Sequence, residues 1–378
     1  MGNDLNKKIG IITFHNSYNC GSMLQAFALQ QVINRLTGRK SEIVDFSNEG
    51  QQKLYSVRQP NDSLKNVIKN IILAPWFKRI ARNYESYERF KKNNFRLSNF
   101  PIHKSADLSD ADYDIVVAGS DQVWNITIED GDDAYFLPWV KLAKKVAYAP
   151  SFGAKNIADF ADDPIRYAKY LKDFSCLSIR ERNGLEWLQK LTGRSAELLL
   201  DPTLLLKQDD YAKIESHELK LPLRYIFYYS PGYSRDINKL VHKISQKYNL
   251  PVIAFNTKTF YIKGMQFKLP KIENPSTYLQ LIKNAEMIIT TSFHGTVFST
   301  IYRKKFWTVK NGGMFGSDDR VKTLMYLLDL EDRMIPIEFD DGFNYLKEKN
   351  YNKYEHLLEK EQERAYTYLK KALVDRRI

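Results

Sequence analysis

The chain has 378 residues, of which 43% are hydrophobic, and its formal net charge is +12. This length favours two domains or one domain with insertions, and the apolar content excludes an intrinsically disordered protein. The two cysteines are too few for a disulfide framework, and no apolar run approaches the ~20 residues of a transmembrane helix. The first residues lack the apolar segment of a secretory signal, so we expect a cytoplasmic protein.

The positive charge is compatible with nucleic acid, an anionic membrane surface or small anionic substrates as partners. The sequence contains no zinc-finger spacing, RNP signature or basic heptad region, so we expect no nucleic-acid partner. Its histidines and cysteines show no spacing typical of metal ligands, and we therefore expect no metal site.

The chain opens with a strand–loop–helix–strand pattern typical of a doubly wound domain. The two strands are predicted at Lys8–Phe14 and Ser41–Phe46. The loop between the first strand and the helix carries Asn16, Asn19 and Gly21 where a ligand would be met, although it lacks the glycine spacing of a dinucleotide site. Two interpretations stay open: the loop binds a ligand, or its polar side chains cap the helix.

Residues from about 50 to 108 are predicted to form a helical insertion in this first domain. Between Lys65 and Lys92 the insertion is rich in basic residues, and it contains Trp76 and Phe77. A basic helix with aromatic residues is able to lie on an anionic membrane surface, so peripheral membrane contact is one interpretation. We favour the other, a solvated helix that covers the sheet.

Polar residues follow two further predicted strands of this domain. Ser120 and Asp121 come directly after one strand, where a carboxylate is placed to orient or deprotonate a substrate hydroxyl; the alternative role of Asp121 is to cap a helix. Arg180 and Arg182 come after another. Arginine donates in bidentate fashion to carboxylate and phosphate, while the alternative is a surface ion pair with Glu181.

A polar and charged stretch at residues 207–221 separates a second βα series from the first. We place an N-terminal Rossmann-like domain at residues 1–205 and a C-terminal one at residues 222–335. Residues 350–378 are predicted to contain a helix that packs back on the first domain. The sequence therefore predicts an α/β protein with two Rossmann-like domains facing a cleft.

The strongest candidate site lies in the second series. An apolar strand leads through Ser292, His294 and Gly295 into an amphipathic helix, for which Thr296 is the predicted N-cap. His294 is thereby placed at the carboxyl edge of a sheet beside a helix N-terminus, where backbone N–H groups and the helix dipole stabilise anions. A lone histidine in a turn is also a common surface residue, so both interpretations stay open.

Four short motifs in this order resemble those of the polysaccharide pyruvyl transferases. The motifs are GSDQVWN at Gly119–Asn125, SIRER at Ser178–Arg182, DPT at Asp201–Thr203 and ITTSFHGTVFS at Ile289–Ser299. The stretch Phe14–Gln30 also resembles the opening of a large bacterial branch of that family. The resemblance extends from about Ile9 to Leu330.

The resemblance implies a fold like the two-domain glycosyltransferase B (GT-B) type, with the acceptor on the N-terminal domain and the donor on the C-terminal one. It implies phosphoenolpyruvate as donor, no cofactor, and a sugar diol as acceptor; the product is a pyruvyl ketal on a cell-surface polysaccharide or its lipid-linked precursor, made at the inner face of the membrane. The donor-binding arginine and the histidine of the family match Arg180 and His294. A further basic position matches Arg320, with Lys310 in the Gly-rich loop Lys310–Asp319 as the substitute.

This chemistry suits the residues. Phosphoenolpyruvate carries a phosphate and a carboxylate, so it requires at least two fixed cations. We expect His294 to contact the phosphate and donate a proton, and Asp121 to orient or deprotonate the acceptor. A GT-B glycosyltransferase that uses a nucleotide sugar is the alternative function, although no carboxylate of the second domain is placed to hold a ribose. A non-enzymatic membrane-surface module is a further alternative.

Overall fold

A computed structural model describes residues 8–255, 265–310 and 319–374. The chain divides into two compact units, each built on a parallel sheet. The N-terminal unit comprises Met1–Pro60, Lys91–Leu206 and Leu358–Ile378, and the C-terminal unit comprises Asn61–Phe90 and Lys207–Leu357.

The sheet of the N-terminal unit has the strand order β2-β1-β3-β4. Its strands are β1 Lys8–Ile12, β2 Glu42–Ile43, β3 Tyr113–Ala118 and β4 Lys144–Ala147. A separate parallel pair consists of β5 Ser178–Ile179 and β6 Glu197–Leu198. A parallel bridge between Val146 and Cys176 links β4 to the segment that leads into β5. The carboxyl ends of β1, β3, β4 and β5 therefore lie at one edge of this layer.

The sheet of the C-terminal unit has the order β11-β10-β9-β7-β8, and all its pairs are parallel. The strands are β7 Ile226–Tyr229, β8 Val252–Phe255, β9 Met287–Thr290, β10 Lys305–Val309 and β11 Met334–Ile335. Every residue of β7, β8 and β9 is buried, as expected for a parallel sheet that is covered on both faces. Strand β11 was not predicted from the sequence.

Helices alternate with these strands, which confirms the α/β class. They are α1 Cys20–Thr37, α2 Glu49–Tyr55, α3 Leu64–Leu73, α4 Phe77–Asn94, α5 Ile157–Phe160, α6 Pro164–Lys172, α7 Arg182–Thr192, α8 Gln208–Ala212, α9 Arg235–Tyr248, α10 Pro275–Asn284, α11 Phe293–Ile301, α12 Asp319–Leu327 and α13 Asn352–Leu373. Small polar residues and glycine delimit them: Ser234 caps α9, and α1 ends at Gly38 with φ of +65°.

Each unit has its own aromatic-rich core. In the N-terminal unit Trp124 stacks on Phe136, with ring centroids 5.9 Å apart. In the C-terminal unit the indole of Trp307 packs edge-on against Phe343 at 4.9 Å and donates a hydrogen bond to the Tyr345 carbonyl. Such pairs stabilise beyond the area they bury.

The segment Asn61–Phe90 is grouped with the C-terminal unit, whereas the sequence analysis placed it as an insertion of the first domain. Hydrogen bonds explain the grouping, since both Arg79 and Asn83 donate to the buried carboxylate of Glu273. Asn274 also donates to the hydroxyl of Ser86. These bonds join residues about 190 positions apart, which local sequence patterns do not reveal.

The last part of α13 packs on the N-terminal unit. Beyond Leu358, the Tyr366 hydroxyl donates to the Leu205 carbonyl and the Tyr368 hydroxyl donates to the Ala147 carbonyl, at the end of β4. This helix begins at Asn352, within the residues 350–378 for which the sequence predicts a helix.

Candidate functional site

His294 lies in the first turn of α11, immediately after β9. The N-cap of this helix is Ser292, whose hydroxyl accepts the Gly295 N–H at 3.3 Å. The predicted cap at Thr296 is wrong, because the hydroxyl of Thr296 instead donates to the Ser292 carbonyl and shares a 2.7 Å hydrogen bond with Thr308 of β10. The helix therefore begins earlier than predicted and carries His294 at its positive end.

Gly295 permits this early helix start. A Cβ atom at this position would lie 2.1 Å from the hydroxyl oxygen of Thr290, the last residue of β9. Only glycine lets α11 begin so close to the strand, so the structure gives Gly295 a packing role that holds the His294 turn against the sheet.

A network of hydroxyl groups ties the ends of β7 and β9 together around this turn. Thr290 donates to the Tyr229 carbonyl at 2.7 Å and accepts the backbone N–H of Ser292 at 3.0 Å. The hydroxyls of Ser230 and Thr291 are 2.6 Å apart. These groups are buried, as is His294, at 7% exposure. The turn is thus a rigid, polar platform rather than a surface loop.

Two basic residues follow the neighbouring strand. Lys310 comes directly after β10, which pairs with β9, and it is exposed. Its backbone N–H donates to the Ile335 carbonyl at 2.8 Å. Arg320 lies in the first turn of α12, which contacts α11, and it is buried. Residues 311–318 of the predicted Gly-rich loop lie outside the described residues.

Arg180 follows β5 in the N-terminal unit and is buried, at 3% exposure. Its guanidinium Nη1 lies 2.5 Å from Oδ2 of Asp201, and Nη2 lies 3.6 Å from Oδ1 of Asp121. The surface ion pair with Glu181 does not describe this geometry, because Glu181 is itself buried and accepts the Phe152 N–H at 2.7 Å. The structure thus brings the predicted residues Asp121 and Arg180 together.

Asp121 lies in a turn after β3, with φ of +70°. Its Oδ1 accepts the N–H of Gln122 at 2.8 Å, and its carbonyl accepts the N–H of Ser151 at 2.8 Å. No helix begins at Asp121 in the described chain, so the predicted capping alternative is wrong. Its buried Oδ2 has no hydrogen-bond partner among the described residues.

A second carboxylate, Asp130, lies in the same region and was missed by the sequence analysis. It is buried, and its Oδ2 accepts a 3.5 Å hydrogen bond from Ser17, which in turn accepts from Gln51 at 2.8 Å. Burial, reinforced by the negative charge of Asp121, raises the pKa of Asp130 to about 6. The only sequence signal is its position in the acidic run Glu129–Asp133 after β3.

The fully buried Tyr135 lies near the two carboxylates. Burial and the negative charges of Asp130, Asp132 and Asp121 raise the pKa of its hydroxyl well above the ordinary value. The Tyr135 hydroxyl has no hydrogen-bond partner among the described residues. Buried polar atoms of native proteins are nearly always bonded, so this region of the N-terminal unit has hydrogen-bonding capacity for a further group.

The other predicted site residues lie in the N-terminal unit. Asn19 caps α1 by accepting the N–H groups of Gly21 and Ser22, which agrees with the capping interpretation of that loop. Asn16 accepts from Lys91 at 2.7 Å. The remaining two are Ser120, which donates to the Ala149 carbonyl, and Arg182, which is exposed at the start of α7.

Among the described residues, no group of three or more His, Cys, Asp or Glu side chains is arranged to hold a metal ion. Within the same residues, no helix is both long enough and apolar enough to span a membrane.

Solved structures resemble the chain over nearly its whole length. A structure of S. aureus MnaA with UDP aligns with a TM-score of 0.51 and 10% identity, covering 96% of each chain. The UDP-GlcNAc 2-epimerase from Methanocaldococcus jannaschii aligns at 0.46 and 12%, covering 93% and 92%, and E. coli heptosyltransferase WaaC with ADP-2-deoxy-2-fluoro heptose aligns at 0.38 and 10%, covering 93% and 99%. The MnaA likeness supports a Rossmann-like, GT-B-type architecture and concerns the fold alone.

No curated protein sequence matches the chain. A family model does: the polysaccharide pyruvyl transferase model matches residues 19–313, a span that contains both Arg180 and His294. Because this span covers most of the 378 residues, the chain is a transferase enzyme that belongs to the polysaccharide pyruvyl transferase family.

Proposed function

We propose that the protein transfers the pyruvyl group of phosphoenolpyruvate to two hydroxyls of a sugar during the synthesis of a cell-surface polysaccharide. C3 of the donor gains a proton, and C2 forms bonds to both sugar oxygens as its bond to the phosphate oxygen breaks. The two hydroxyl protons are lost, one proton is gained by C3, and the other leaves on inorganic phosphate. The products are a pyruvyl ketal and phosphate.

The observation that carries this proposal is His294 at the N-terminus of α11. A buried imidazole at the positive end of a helix, on a platform of hydroxyl groups, suits a phosphate and the transfer of a proton to or from it. Lys310 follows the adjacent strand and Arg320 opens the next helix, so either supplies a further positive charge. We assign the donor to this edge of the C-terminal unit.

We assign the acceptor to the carboxylates of the N-terminal unit. Asp121 contacts the guanidinium of Arg180, which suits it to orient neighbouring groups. Asp130 has a pKa of about 6, so near neutral pH it is able to accept a proton from a sugar hydroxyl. We therefore propose Asp130 as the base and Asp121 as the orienting residue, which extends the sequence prediction.

The family resemblance assigns Arg180 to the donor. Asp201 and Asp121 hold its guanidinium from two sides, so we propose that they fix the direction in which Arg180 contacts the donor carboxylate. This role differs from that of His294, because the charge of Arg180 is already balanced within its own unit.

The test is a phosphate-release assay with phosphoenolpyruvate and a panel of sugar diols, followed by mass spectrometry of the products. A pyruvyl ketal with one phosphate per ketal supports the proposal. Thermal shifts distinguish the alternative: phosphoenolpyruvate stabilises the protein if it is the donor, whereas a nucleotide-sugar enzyme is stabilised by a UDP- or GDP-sugar. Stabilisation by nucleotide sugars alone would refute the proposal.

A further inference from the structure

Helix α3, Leu64–Leu73, has no buried residue, although six of its 10 positions are leucine, isoleucine or valine. Its exposed apolar side chains are Leu64, Ile68, Ile71 and Ile72, with Leu64 77% and Ile71 68% exposed. The spacing i, i+4, i+7 and i+8 places them on one stripe of the helix. This stripe, called the α3 stripe below, faces solvent.

The less exposed positions of α3 are Asn66, Val67, Asn70 and Leu73. Asn66 and Asn70 are half-buried and donate hydrogen bonds to Asp62 and Asn61, the residues that precede the helix. The hydroxyl of Ser63 caps the helix by accepting the Asn66 N–H. The helix is thus well formed, and it leaves four of its six aliphatic side chains exposed, whereas an ordinary surface helix turns its apolar stripe inward.

The charged residues that follow Asp62, through α3 and into α4, have one sign. No aspartate or glutamate occurs between Asp62 and Glu85, whereas this interval contains five basic residues: Lys65, Lys69, Lys78, Arg79 and Arg82. Arg79 pairs with Glu273 inside the C-terminal unit. The other four are exposed, and Lys65 and Lys69 lie on α3 itself, beside the stripe.

We propose that α3 docks the protein on an anionic lipid surface, with the α3 stripe in the boundary between headgroups and acyl chains. An apolar stripe flanked by lysines is the pattern by which amphipathic helices bind membranes from one side. Each basic residue near an anionic leaflet strengthens the attraction, and here no acidic residue in the interval opposes it. The inference is independent of the pyruvyl transfer reaction, because no residue of either proposed site is involved.

The test is co-sedimentation of the full chain with vesicles of phosphatidylcholine containing about 30% phosphatidylglycerol, and with vesicles of phosphatidylcholine alone. We expect binding to the anionic vesicles that weakens as salt is raised, since surface charges are screened. We expect the double variant Ile68→Glu, Ile71→Glu to lose at least about tenfold in partitioning. Lys65→Gln with Lys69→Gln should lose several-fold, with the larger loss at low salt.

A matched control carries Ile165→Glu and Leu223→Glu, at apolar residues that are 81% and 96% exposed in other parts of the chain. This control should bind as the wild type does, and all variants should retain the wild-type melting temperature because the changed side chains are exposed. Equal binding by the stripe variant, equal loss in the control, or no binding by the wild type would overturn the proposal. So would a wild-type dimer that the stripe variant abolishes without any vesicle binding.

Discussion

The carboxyl edges of the two sheets carry opposite chemistry. In the C-terminal unit, residues 287–310 contain no carboxylate, and the edge presents hydroxyls, His294 and Lys310. In the N-terminal unit, the corresponding edge holds Asp121, Asp201 and, near them, Asp130.

Anions are stabilised at the first kind of edge and hydroxyl groups are oriented or deprotonated at the second. Under the proposed reaction, the doubly anionic donor therefore suits the C-terminal unit, and the neutral, hydroxyl-bearing acceptor suits the N-terminal unit. Arg180 is the exception to this division, because it is a cation among carboxylates.

The largest expected effect tests the C-terminal edge. His294→Ala should lower kcat by about 10² to 10⁴, the range of positioned acid–base groups, because no other imidazole lies in the first turn of α11. The fold should persist, since the cap Ser292 and the packing of Gly295 are unchanged. Single-turnover phosphate release measures the effect. His356→Ala, at an exposed histidine of α13, is the control and should be neutral. Normal turnover in His294→Ala would break the assignment of the donor to this edge.

The early start of α11 shows how far the sequence alone reaches. The apolar run and the Phe-His-Gly turn predict the strand, the helix and the position of His294 at the sheet edge. The predicted cap was wrong because Ser292 and Thr296 are both good capping residues, and the hydrogen bond from the Gly295 N–H to the Ser292 hydroxyl decides between them.

Asp130 and the segment Asn61–Phe90 show where sequence patterns fail. The raised pKa of Asp130 comes from burial beside residues more than 75 positions away, such as Ser17 and Gln51, and no local pattern contains that information. The bonds from Arg79 and Asn83 to Glu273 are equally non-local. The hydrophobic periodicity of the sequence predicts the strands of parallel sheets and where they end, but it does not predict contacts between distant segments.

The second prediction concerns Arg180, the cation among the carboxylates of the N-terminal unit. Removing Arg180 leaves Asp121 and Asp201 buried without their cation, so Arg180→Ala should destabilise the protein by about 3 to 5 kcal/mol in urea unfolding. Arg180→Lys keeps a charge but loses the bidentate fork, so it should raise KM for phosphoenolpyruvate about tenfold with a smaller loss of stability.

Asp201→Asn is the comparison variant, because it weakens the same ion pair while the guanidinium of Arg180 is retained. If a folded Arg180→Lys enzyme keeps its KM for phosphoenolpyruvate, Arg180 only balances the carboxylates, and the division between the two edges has no exception.

The third prediction uses the pH dependence of Asp130. Its pKa is 3.8 in ordinary surroundings and about 6 when folded, so the folded state holds this proton more tightly. Stability therefore falls as pH rises from about 4 to about 6, and the full loss, about 3 kcal/mol, is present above that window. Asp130→Asn removes the ionised form, so it should stabilise the protein at pH 8 and have no such effect at pH 3.5.

The same variant tests the proposed base. The wild-type kcat/KM should rise with pH through about 6 as Asp130 loses its proton, and this limb should disappear in Asp130→Asn together with most of the activity. Asp121→Asn serves as the matched carboxylate control and should keep the limb but shift it to lower pH, because the charge of Asp121 helps to raise the pKa of Asp130. An unchanged profile in Asp130→Asn would return the role of base to Asp121.

The smallest expected effect separates the two basic candidates of the donor edge. Removing one cation that contacts a bound anion should raise KM for phosphoenolpyruvate about tenfold, or about 1.4 kcal/mol, with kcat little changed. Lys310→Gln and Arg320→Gln are compared under the same conditions, and melting curves check Arg320→Gln because that side chain is buried.

If Lys310 is the second cation, its variant alone shows the KM effect, and the effect shrinks at high salt because the lysine is exposed. A KM effect confined to Arg320→Gln assigns the cation to the first turn of α12 instead. Unchanged KM in both variants would mean that the C-terminal edge does not hold the anionic donor.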